Sequence, residues 1–434
     1  MRDIALVLVL AWVIPQIIKR PFIGVLVWCW ISYMVPQRLV FGFMQSMPVA
    51  QVVAIICLLT YLFSKEPKKI PLREPIIWLI LLYIWMFLTY LVHDKTPYIN
   101  SLAIKVVKIQ FFTLIIFAML TTRKRIDMCL LVISLSIGFY GFKGGIYTVL
   151  SGGSGRVWGP PGGFFEGNNE LGLTLVMIIP IIFYLISHQT NKWVKWGLWA
   201  VIGFSALSVL GTHSRGAFLS ILAAGLFLWL KSDRKMLLAL ALIVSMPFAY
   251  NFMPDAWHER MSTIVEDNEE DYDGSVQGRF NAWRMAFNIS NDKVFAGGFD
   301  AATPENFIRY APDPLDFHDF HSIYFQMLGK HGWGGLFIFL MMYYAAWRTA
   351  NSIRKKVSGD SELKWARDLS AMIQVSLIAY ATGGAFLGMA YFDLPFHFLI
   401  TLVAVHVLVD KELQSRKEKI QQPVQSKTLW SHNP

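Results

Sequence analysis

The chain has 434 residues, of which 55% are hydrophobic and only 16% are charged. Soluble domains carry about a quarter charged residues, so this composition excludes an ordinary soluble enzyme and favours a membrane protein. The net charge of +10 does not indicate nucleic-acid binding, because the basic residues fall in short clusters between apolar runs instead of on one face.

Apolar runs long enough to cross a bilayer as helices recur along most of the chain. Because a spanning segment must satisfy its own backbone hydrogen bonds, we predict an all-α polytopic membrane protein with about 12 transmembrane helices. The first two runs are short, which leaves open whether one of them is re-entrant or interfacial. In chain order, the predicted segments are 4–18, 22–36, 49–64, 74–93, 101–120, 126–150, 170–187, 194–211, 215–231, 235–253, 321–347, 368–391 and 394–410.

Short basic clusters lie in alternate connections between these segments. By the positive-inside rule those connections face the cytoplasm, so the remaining ones face outward. The cytoplasmic set is 65–73, 123–125, 192–195, 231–235, 354–356 and the tail after Lys411. The external set is 152–169, 211–215, 254–320 and a short turn near Asp393.

This topology predicts the domain organisation. Residues 1–253 are expected to form transmembrane helices with short loops, and residues 254–320 a large external loop. Residues 321–410 are expected to form the C-terminal transmembrane helices, and the polar stretch 411–434 a disordered cytoplasmic tail. No separate soluble domain is expected.

The external side should be poor in basic residues, yet several are predicted to lie there. Ionisable groups at membrane depth are costly and usually face a cavity, and the planar guanidinium of arginine suits a phosphate. We therefore expect an anion-binding cavity that opens outward. For Lys105 alone, snorkelling of its side chain to the interface is an equal alternative. The external cations are Arg156, Arg215, Arg279, Arg284 and Arg309, together with Lys105, Lys108 and Lys143 in the outer parts of two apolar segments.

Arg215 belongs to the stretch GTHSRGAFLS, residues 211–220, where a short loop precedes a helix. Ser214 is a favourable N-cap residue, and the first turn of a helix attracts anions through its free N–H groups and its dipole. Arginines also mark the membrane boundary. An anion site and an interfacial anchor therefore both remain open for Arg215.

The stretch GRVWGPPGGFFEGNNELGLTL, residues 155–175, is rich in glycine and proline and predicts an ordered, turn-rich loop. Asn168 and Asn169 then open an apolar helix. Asparagine at a helix start usually caps it, although its amide can also bind a sugar or a diphosphate. Both roles remain open.

The external segment 254–320 contains the stretch SVQGRFNAWRMAFNIS, in which aromatic and apolar residues recur at a spacing of three to four behind Ser275 as a possible N-cap. This pattern predicts an amphipathic helix that lies on or dips into the outer membrane surface. From such a helix, Arg279 and Arg284 could reach the cavity.

The stretch DFHDFHS, residues 316–322, gathers two acids and two histidines before an apolar run. These are legitimate metal ligands, but HxxH lacks the i, i+4 spacing of a helical zinc site and no further ligand follows at a suitable spacing, so we predict no metal. A polar helix entrance without chemistry remains an alternative. We favour His321 as a general base, because the helix dipole favours a neutral imidazole there, with His318 and Asp319 as orienting groups.

Several of these motifs resemble the O-antigen ligase and polymerase superfamily of bacterial membrane glycosyltransferases. They are Ser214-Arg215-Gly216 at a helix start, Gly278-Arg279 followed by Trp283, and His321-Ser322 followed after nine residues by Gly332 and Gly335. These two glycines also predict close packing that holds their helix rigid. The stretches RPFIGVLVWCWISYMVPQRLVFGF and GPPGGFFEGNNELG look like one branch of the O-antigen ligases, the exosortase-associated O-glycosylation ligases.

The resemblance implies a GT-C type glycosyltransferase of the bacterial inner membrane, with its active site and large amphipathic loop in the periplasm. The donor would be a glycan on undecaprenyl diphosphate, and the acceptor a sugar hydroxyl of the lipid A core or a protein, without metal or other cofactor. His321 would accept the proton of the acceptor, while Arg215 and Arg279 stabilise the departing diphosphate. The remaining predicted substrate-binding residues are Lys105, Lys108, Arg284, Asn168, Asn169, His318 and Asp319.

Four other functions compete with a ligase that acts on the lipid A core. A polymerase or a protein O-oligosaccharide ligase of the same superfamily would use the same donor. A transporter for a lipid-linked glycan would need basic residues along a path through the whole membrane, whereas here they gather on the external side. A structural scaffold would leave the external arginines and the lysines at membrane depth without a purpose.

Overall fold

The computed structural model describes residues 2–231, 235–262 and 274–421, and within these ranges it contains helices and no strands. Sixteen α-helices follow one another within these ranges. They are α1 (Arg2–Lys19), α2 (Pro21–Met34), α3 (Val49–Phe63), α4 (Glu74–Val92), α5 (Pro97–Met119), α6 (Arg123–Leu150), α7 (Asn168–His188), α8 (Lys192–Gly211), α9 (Arg215–Lys231), α10 (Lys235–Phe252), α11 (Asp255–Ser262), α12 (Gly274–Asp292), α13 (Pro304–Tyr310), α14 (Ile323–Lys356), α15 (Lys364–Gly384) and α16 (Asp393–Gln421).

Each predicted apolar segment corresponds to one helix, so the all-α membrane-type fold is confirmed. Among the described residues, six helices are both long and apolar enough to cross a bilayer, namely α4 to α8 and α16, while α2 and α3 are apolar but shorter. The number of about 12 spans, the periplasmic placement of the large loop and the GT-C type remain predictions.

Loops 152–167 and 211–214 meet at one end of the helix bundle, which we call the site end. The backbone N–H of Val157 donates to the carbonyl oxygen of Gly211 at 2.9 Å, and Nε2 of His213 lies 2.8 Å from the carbonyl oxygen of Gly153. Both loops belong to the set that the charge pattern predicts to share one side.

The basic connections meet at the opposite end of the bundle, where they form ion pairs. Arg125 Nη2 lies 2.6 Å from Glu66 Oε1, and Arg73 Nη2 lies 3.0 Å from Asp410 Oδ2. The contacts therefore place loops of the predicted external set together at one end and basic connections of the predicted cytoplasmic set together at the other. The compartment that each end faces remains a prediction.

Glycines allow α6 to pack closely against α7 and α8, an arrangement typical of membrane helices. A Cβ at Gly141 would lie 2.8 Å from Leu175 of α7, and one at Gly145 would overlap the backbone of Phe204 on α8. This packing brings the end of α6 and the loop at Gly153 against the end of α8.

The prediction of a disordered tail from residue 411 is wrong for residues 411–421, because α16 continues to Gln421. Arg416 holds this extension against the connection between α14 and α15. Its Nη1 lies 2.7 Å from Asp360 Oδ2, and its Nη2 lies 2.6 Å from Glu362 Oε2. Residues 422–434 lie outside the described residues.

The helix that carries the two glycines of the sequence motif is broken. Gly332 has φ 69° and ψ −175° inside α14, and a Cβ there would overlap the carbonyl oxygen of Val294. Gly335 does make the predicted close contact, with Trp85 of α4 3.3 Å from the position of a Cβ. The predicted segment 321–347 is therefore a helix with a break at Gly332, and its rigidity remains a prediction.

Candidate active site

Helix α12 holds the backbone that leads to His321. The side-chain amide of Asn281 donates to the carbonyl oxygens of Asp313, at 2.8 Å, and Asp316, at 3.0 Å. The indole Nε1 of Trp283 donates to the carbonyl oxygen of Phe320 at 2.7 Å. Three hydrogen bonds from one helix thus fix the segment just before His321.

The predicted amphipathic helix is confirmed as α12, and it packs by its apolar face against α13 and α14. Ala282, Met285, Ala286 and Ile289 recur at helical spacing and are fully buried with Phe307 and Phe320. Its predicted contact with the membrane surface remains a prediction. The side chain of the predicted cap, Ser275, lies outside the described residues.

Arg279 and Arg284 lie on different faces of α12. They are five positions apart, which is roughly 140° around an α-helix. Arg279 is partly buried and Arg284 is exposed. Arg279 is also close enough to His321 to lower the pKa of the imidazole. The structure therefore brings Arg279 to His321 and leaves Arg284 on the surface.

His321 precedes the first turn of α14 and is partly buried, with a left-handed φ of 44°. Burial lowers the pKa of its imidazole from the ordinary 6.5, the charges of Asp319 and Glu170 oppose that shift, and Arg279 adds to it. The sequence predicts a neutral imidazole from the helix dipole, whereas burial is its main cause here. A neutral imidazole can accept a proton.

The two predicted orienting residues lie beside His321. His318 Nε2 is 2.7 Å from Asp316 Oδ1, and its ring packs so closely on Gly278 of α12 that a Cβ there would overlap it. Asp319 Oδ1 accepts a hydrogen bond from the N–H of Phe320 at 2.9 Å. Within residues 2–231, 235–262 and 274–421, no three histidine, cysteine, aspartate or glutamate side chains are grouped to hold a metal ion.

Arg215 is the first residue of α9 and follows a tightly bonded loop. Ser214 Oγ accepts a hydrogen bond from the N–H of Ala217 at 3.2 Å, which confirms Ser214 as the N-cap. His213 takes a left-handed φ of 54°, and its carbonyl oxygen accepts a bond from Arg260 Nε at 2.8 Å. Arg215 is therefore partly buried at a helix start of fixed position.

Asn168, the first residue of α7, links its helix to the same loop. Its buried side-chain amide donates to the carbonyl oxygen of Thr212 at 2.8 Å, which ties the start of α7 to the start of α9. Asn169 is partly buried at the same helix start. This bond gives Asn168 a structural role, and its predicted contact with substrate remains a prediction.

The segment between α15 and α16 contacts both the start of α9, where Arg215 lies, and Asp319 near His321. A Cβ at Gly216 would lie 3.4 Å from Cβ of Phe386, and a Cβ at Gly388 would lie 3.4 Å from Asp319 Oδ2. The start of α9 and the acidic residue next to His321 thus border one short stretch of backbone.

The two lysines of α5 contact residues other than those described around His321. Lys105 Nζ lies 4.2 Å from the ring centroid of Phe164, in the glycine-rich loop. Lys108 is exposed and donates to Gln51 Oε1 at 3.3 Å. Lys105 therefore borders the site end through Phe164, whereas Lys108 turns toward α3.

Glu170 and a polar face of α14 were missed by sequence reasoning. Glu170 is far from His321 in the sequence, so only the fold brings its charge close. Ser322, Gln326 and Lys330 recur every four residues and are only 1%, 5% and 8% exposed. That spacing is visible in the sequence and could have revealed a buried polar face that leads inward from His321.

These features describe a helical protein of membrane composition, in which His321 lies at one end of the bundle near two carboxylates and Arg279. Residues 200–340 match the O-antigen ligase family, and residues 1–190 match a family of unknown function (DUF5935). The match of residues 200–340 supports the O-antigen ligase superfamily that the motifs indicated.

The matched range 200–340 includes Arg215, Arg279 and His321, whereas Lys105 and Asn168 lie before it. No curated protein matches the sequence at a significant level. The particular ligase branch remains a prediction.

Proposed function

We propose that the protein is an O-antigen ligase of the bacterial inner membrane with its active site on the periplasmic face. It would transfer a glycan from undecaprenyl diphosphate to a sugar hydroxyl of the lipid A core, with inversion and without a metal. The observation that carries this proposal is the grouping of a half-buried His321 with Arg279 and two carboxylates, within a domain of the O-antigen ligase family.

In this reaction the acceptor oxygen bonds to the anomeric carbon of the donor sugar as the bond from that carbon to the diphosphate oxygen breaks. A sugar hydroxyl is a weak nucleophile at neutral pH, so its proton must pass to a base during attack. His321 is the base, because burial keeps its imidazole neutral. Asp319 and Glu170 stabilise the imidazolium that forms when the proton arrives.

Negative charge builds on the diphosphate as it departs, and fixed cations stabilise that charge best where water is partly excluded. Arg215, at a capped helix start, and Arg279, beside His321, take this role. Lys105 of α5, which lies against Phe164 of the glycine-rich loop, can add to it. Arg284 and Lys108 are exposed, so they act at longer range by attracting the anionic donor.

A polymerase or a protein O-oligosaccharide ligase would use the same donor chemistry, so the acceptor separates these possibilities. A transporter would need basic side chains along a path through the whole membrane, whereas Arg215 and Arg279, the cations proposed to hold the diphosphate, both lie at the site end.

Reconstitution in vesicles tests the proposal. The full-length protein is supplied with a glycan on undecaprenyl diphosphate and, in separate reactions, with lipid A core, a second lipid-linked glycan or an acceptor protein. We expect glycan on the lipid A core. Products only on the second glycan or only on protein would overturn the assigned acceptor, and movement of the donor across the vesicle without transfer would overturn the enzymatic proposal.

A further inference from the structure

A buried lysine lies on the polar face of α14, inward from His321. Ser322, Gln326 and Lys330 share that face, and Lys330 is only 8% exposed. Removing an ammonium group from water is costly, and an ionisable side chain at this depth usually has a function. The proposed transfer chemistry uses His321 and the arginines, and it leaves Lys330 without a role.

An aromatic residue fixes the place of the Lys330 ammonium. Its Nζ lies 5.8 Å from the ring centroid of Tyr391, in the segment between α15 and α16. The hydroxyl of Tyr391 lies 2.6 Å from Nε2 of the fully buried His331, and its ring stacks on Phe299 with centroids 5.8 Å apart. Tyr391 is therefore held on two sides, and the ammonium rests against a fixed surface.

Two carboxylates act on this ammonium through their charges, Asp319 just before α14 and Asp300 between α12 and α13. Helical side chains tilt toward the N-terminal end of their helix, so the side chain of Lys330 extends back toward Gln326 and the site end. A Cβ at Gly388 would lie 3.8 Å from Gln326 Nε2 and 3.4 Å from Asp319 Oδ2. The carboxylate of Asp319 thus borders the polar face that carries Lys330.

The two oxygens of Asp319 have neighbours on the side of α14 and its preceding backbone. Oδ1 accepts a hydrogen bond from the N–H of Phe320 at 2.9 Å, and Oδ2 is the oxygen next to Gly388. A carboxylate that pairs directly with an imidazole favours the protonated ring and occupies one of its nitrogens. A histidine that must accept a proton therefore needs this carboxylate near it but not bonded to it.

We propose that Lys330 is a positioning residue, whose ammonium draws the carboxylate of Asp319 toward α14 and keeps it from pairing directly with His321. This inference rests on the proposed function, because it takes His321 to be the base of the transfer reaction. The imidazole then stays neutral and its accepting nitrogen stays free. Asp319 remains close enough to stabilise the imidazolium once the proton arrives.

The sign of the expected change follows from the charges around His321. Loss of the Lys330 charge removes a nearby cation and releases Asp319 toward the imidazole. Both changes favour the imidazolium and so raise the pKa of His321. The other groups that act on this imidazole are Asp319 and His318 of its own segment, Glu170 of α7 and Arg279 of α12.

Lys330→Met removes the charge and keeps an unbranched side chain. Replacing a buried charge by an apolar side chain is often neutral or stabilising, so this variant should fold with an unchanged or higher Tm. Lys293→Met is the matched control. The Nζ of Lys293 also lies over a tyrosine ring, 5.7 Å from the centroid of Tyr310, but this lysine is exposed.

The first measurement is the titration of His321 by NMR of histidine-labelled protein in detergent, with its signal assigned by its loss in His321→Gln. Lys330→Met and, as a second variant without the charge, Lys330→Gln should each shift the midpoint to higher pH by up to about one unit. Lys330→Arg and Lys293→Met should retain the wild-type midpoint. An unchanged midpoint in both uncharged variants, or an equal shift in Lys330→Arg, would overturn the inference.

Combined variants show which carboxylate carries the effect. In an Asp319→Asn background, Lys330→Met should shift the midpoint much less than it does in the wild type, because no carboxylate is left to approach the imidazole. In an Asp300→Asn background the full shift should remain. An equal shift with and without the carboxylate of Asp319 would overturn the role assigned to it.

The second measurement is the pH dependence of transfer from a glycan on undecaprenyl diphosphate. Lys330→Met should move the acidic limb of kcat/KM to higher pH by the same amount as the NMR midpoint. The apparent KM for the donor should stay unchanged, and a raised KM with an unshifted limb would make Lys330 a binding residue instead. The predicted NMR shift in a protein that transfers glycan to no acceptor would retain the role of Lys330 and overturn the proposed function.

Discussion

The indole Nε1 of Trp283 donates a hydrogen bond to the carbonyl oxygen of Phe320 at 2.7 Å, and so fixes the backbone one residue before His321. The indole also stacks on Phe325 of α14, with ring centroids 4.6 Å apart and planes 7° from parallel. The position of the proposed base therefore depends on packing between α12 and α14.

Trp283→Phe should retain the stacking and lose the hydrogen bond. We expect kcat to fall while donor affinity stays unchanged, with a stability loss of about 1 kcal/mol, typical of one lost hydrogen bond. Trp333→Phe is the control, because Trp333 is 46% exposed and its Nε1 bonds only to Asn291 Oδ1, at 3.0 Å. Equal loss of kcat in the two variants would show that the bond to Phe320 does not position the base.

Glu170→Gln should shift the pH dependence of transfer. His321 must be neutral to accept a proton, and its pKa lies below the ordinary 6.5 because of burial, so activity should fall only below that pH. Glu170 raises this pKa. Removing its charge should lower the pKa further and move the acidic limb of kcat/KM to lower pH.

The control for this shift is Glu166→Gln in the loop just before α7, whose carboxylate accepts a bond from the N–H of Gly162 at 2.8 Å. Its pH profile should match that of the wild type. A shift to higher pH in Glu170→Gln would contradict the assigned electrostatics.

Arg215→Gln and Arg279→Gln should each weaken binding of the lipid-linked donor. A charge-assisted hydrogen bond contributes about 1.5–3 kcal/mol, which corresponds to a rise in Kd of roughly 10–100-fold. Equilibrium binding of labelled donor measures this directly. Arg309→Gln should bind normally, because Arg309 is 67% exposed and lies 3.8 Å from Asp292. Undiminished affinity in both site variants would leave these arginines as interfacial anchors.

Gly332→Ala should destabilise the protein more than a glycine replacement elsewhere at positive φ. Both Gly332 (φ 69°) and Gly359 (φ 83°) adopt the left-handed region, but only at Gly332 would a Cβ overlap backbone, the carbonyl of Val294. We expect a loss of about 1–2 kcal/mol for Gly359→Ala and a larger one for Gly332→Ala. Thermal unfolding in detergent compares them, and equal Tm values would contradict the close approach of Val294.

The helices could be predicted from the sequence because each apolar run satisfies its own backbone hydrogen bonds in a bilayer. The run 74–93, for example, corresponds to α4, Glu74–Val92. Features that depend on distant partners were missed. The extension of α16 depends on Arg416 meeting Asp360, and the break at Gly332 depends on Val294.

In the candidate site too, residues with a local sequence signal could be predicted, whereas a residue that depends on distant packing could not. His321, Arg215 and Arg279 stand out locally, because each is a polar residue at a helix start or on an amphipathic helix next to apolar sequence. Glu170 does not, since its charge reaches His321 only through the packing of α7. Arg284 and Arg279 were both predicted to reach the cavity because they are close in sequence. Five positions correspond to roughly 140° around an α-helix, so the two side chains lie on different faces of α12.

Single-turnover transfer by His321→Ala and His321→Gln, reconstituted with donor bound and lipid A core in excess, tests the role of His321 as the base most directly. We expect both variants to fold and bind the donor like the wild type, while the rate of glycan transfer falls by about 100-fold or more, the range expected when a general base is removed. Transfer at the wild-type rate by either variant would contradict the role of His321 as the base.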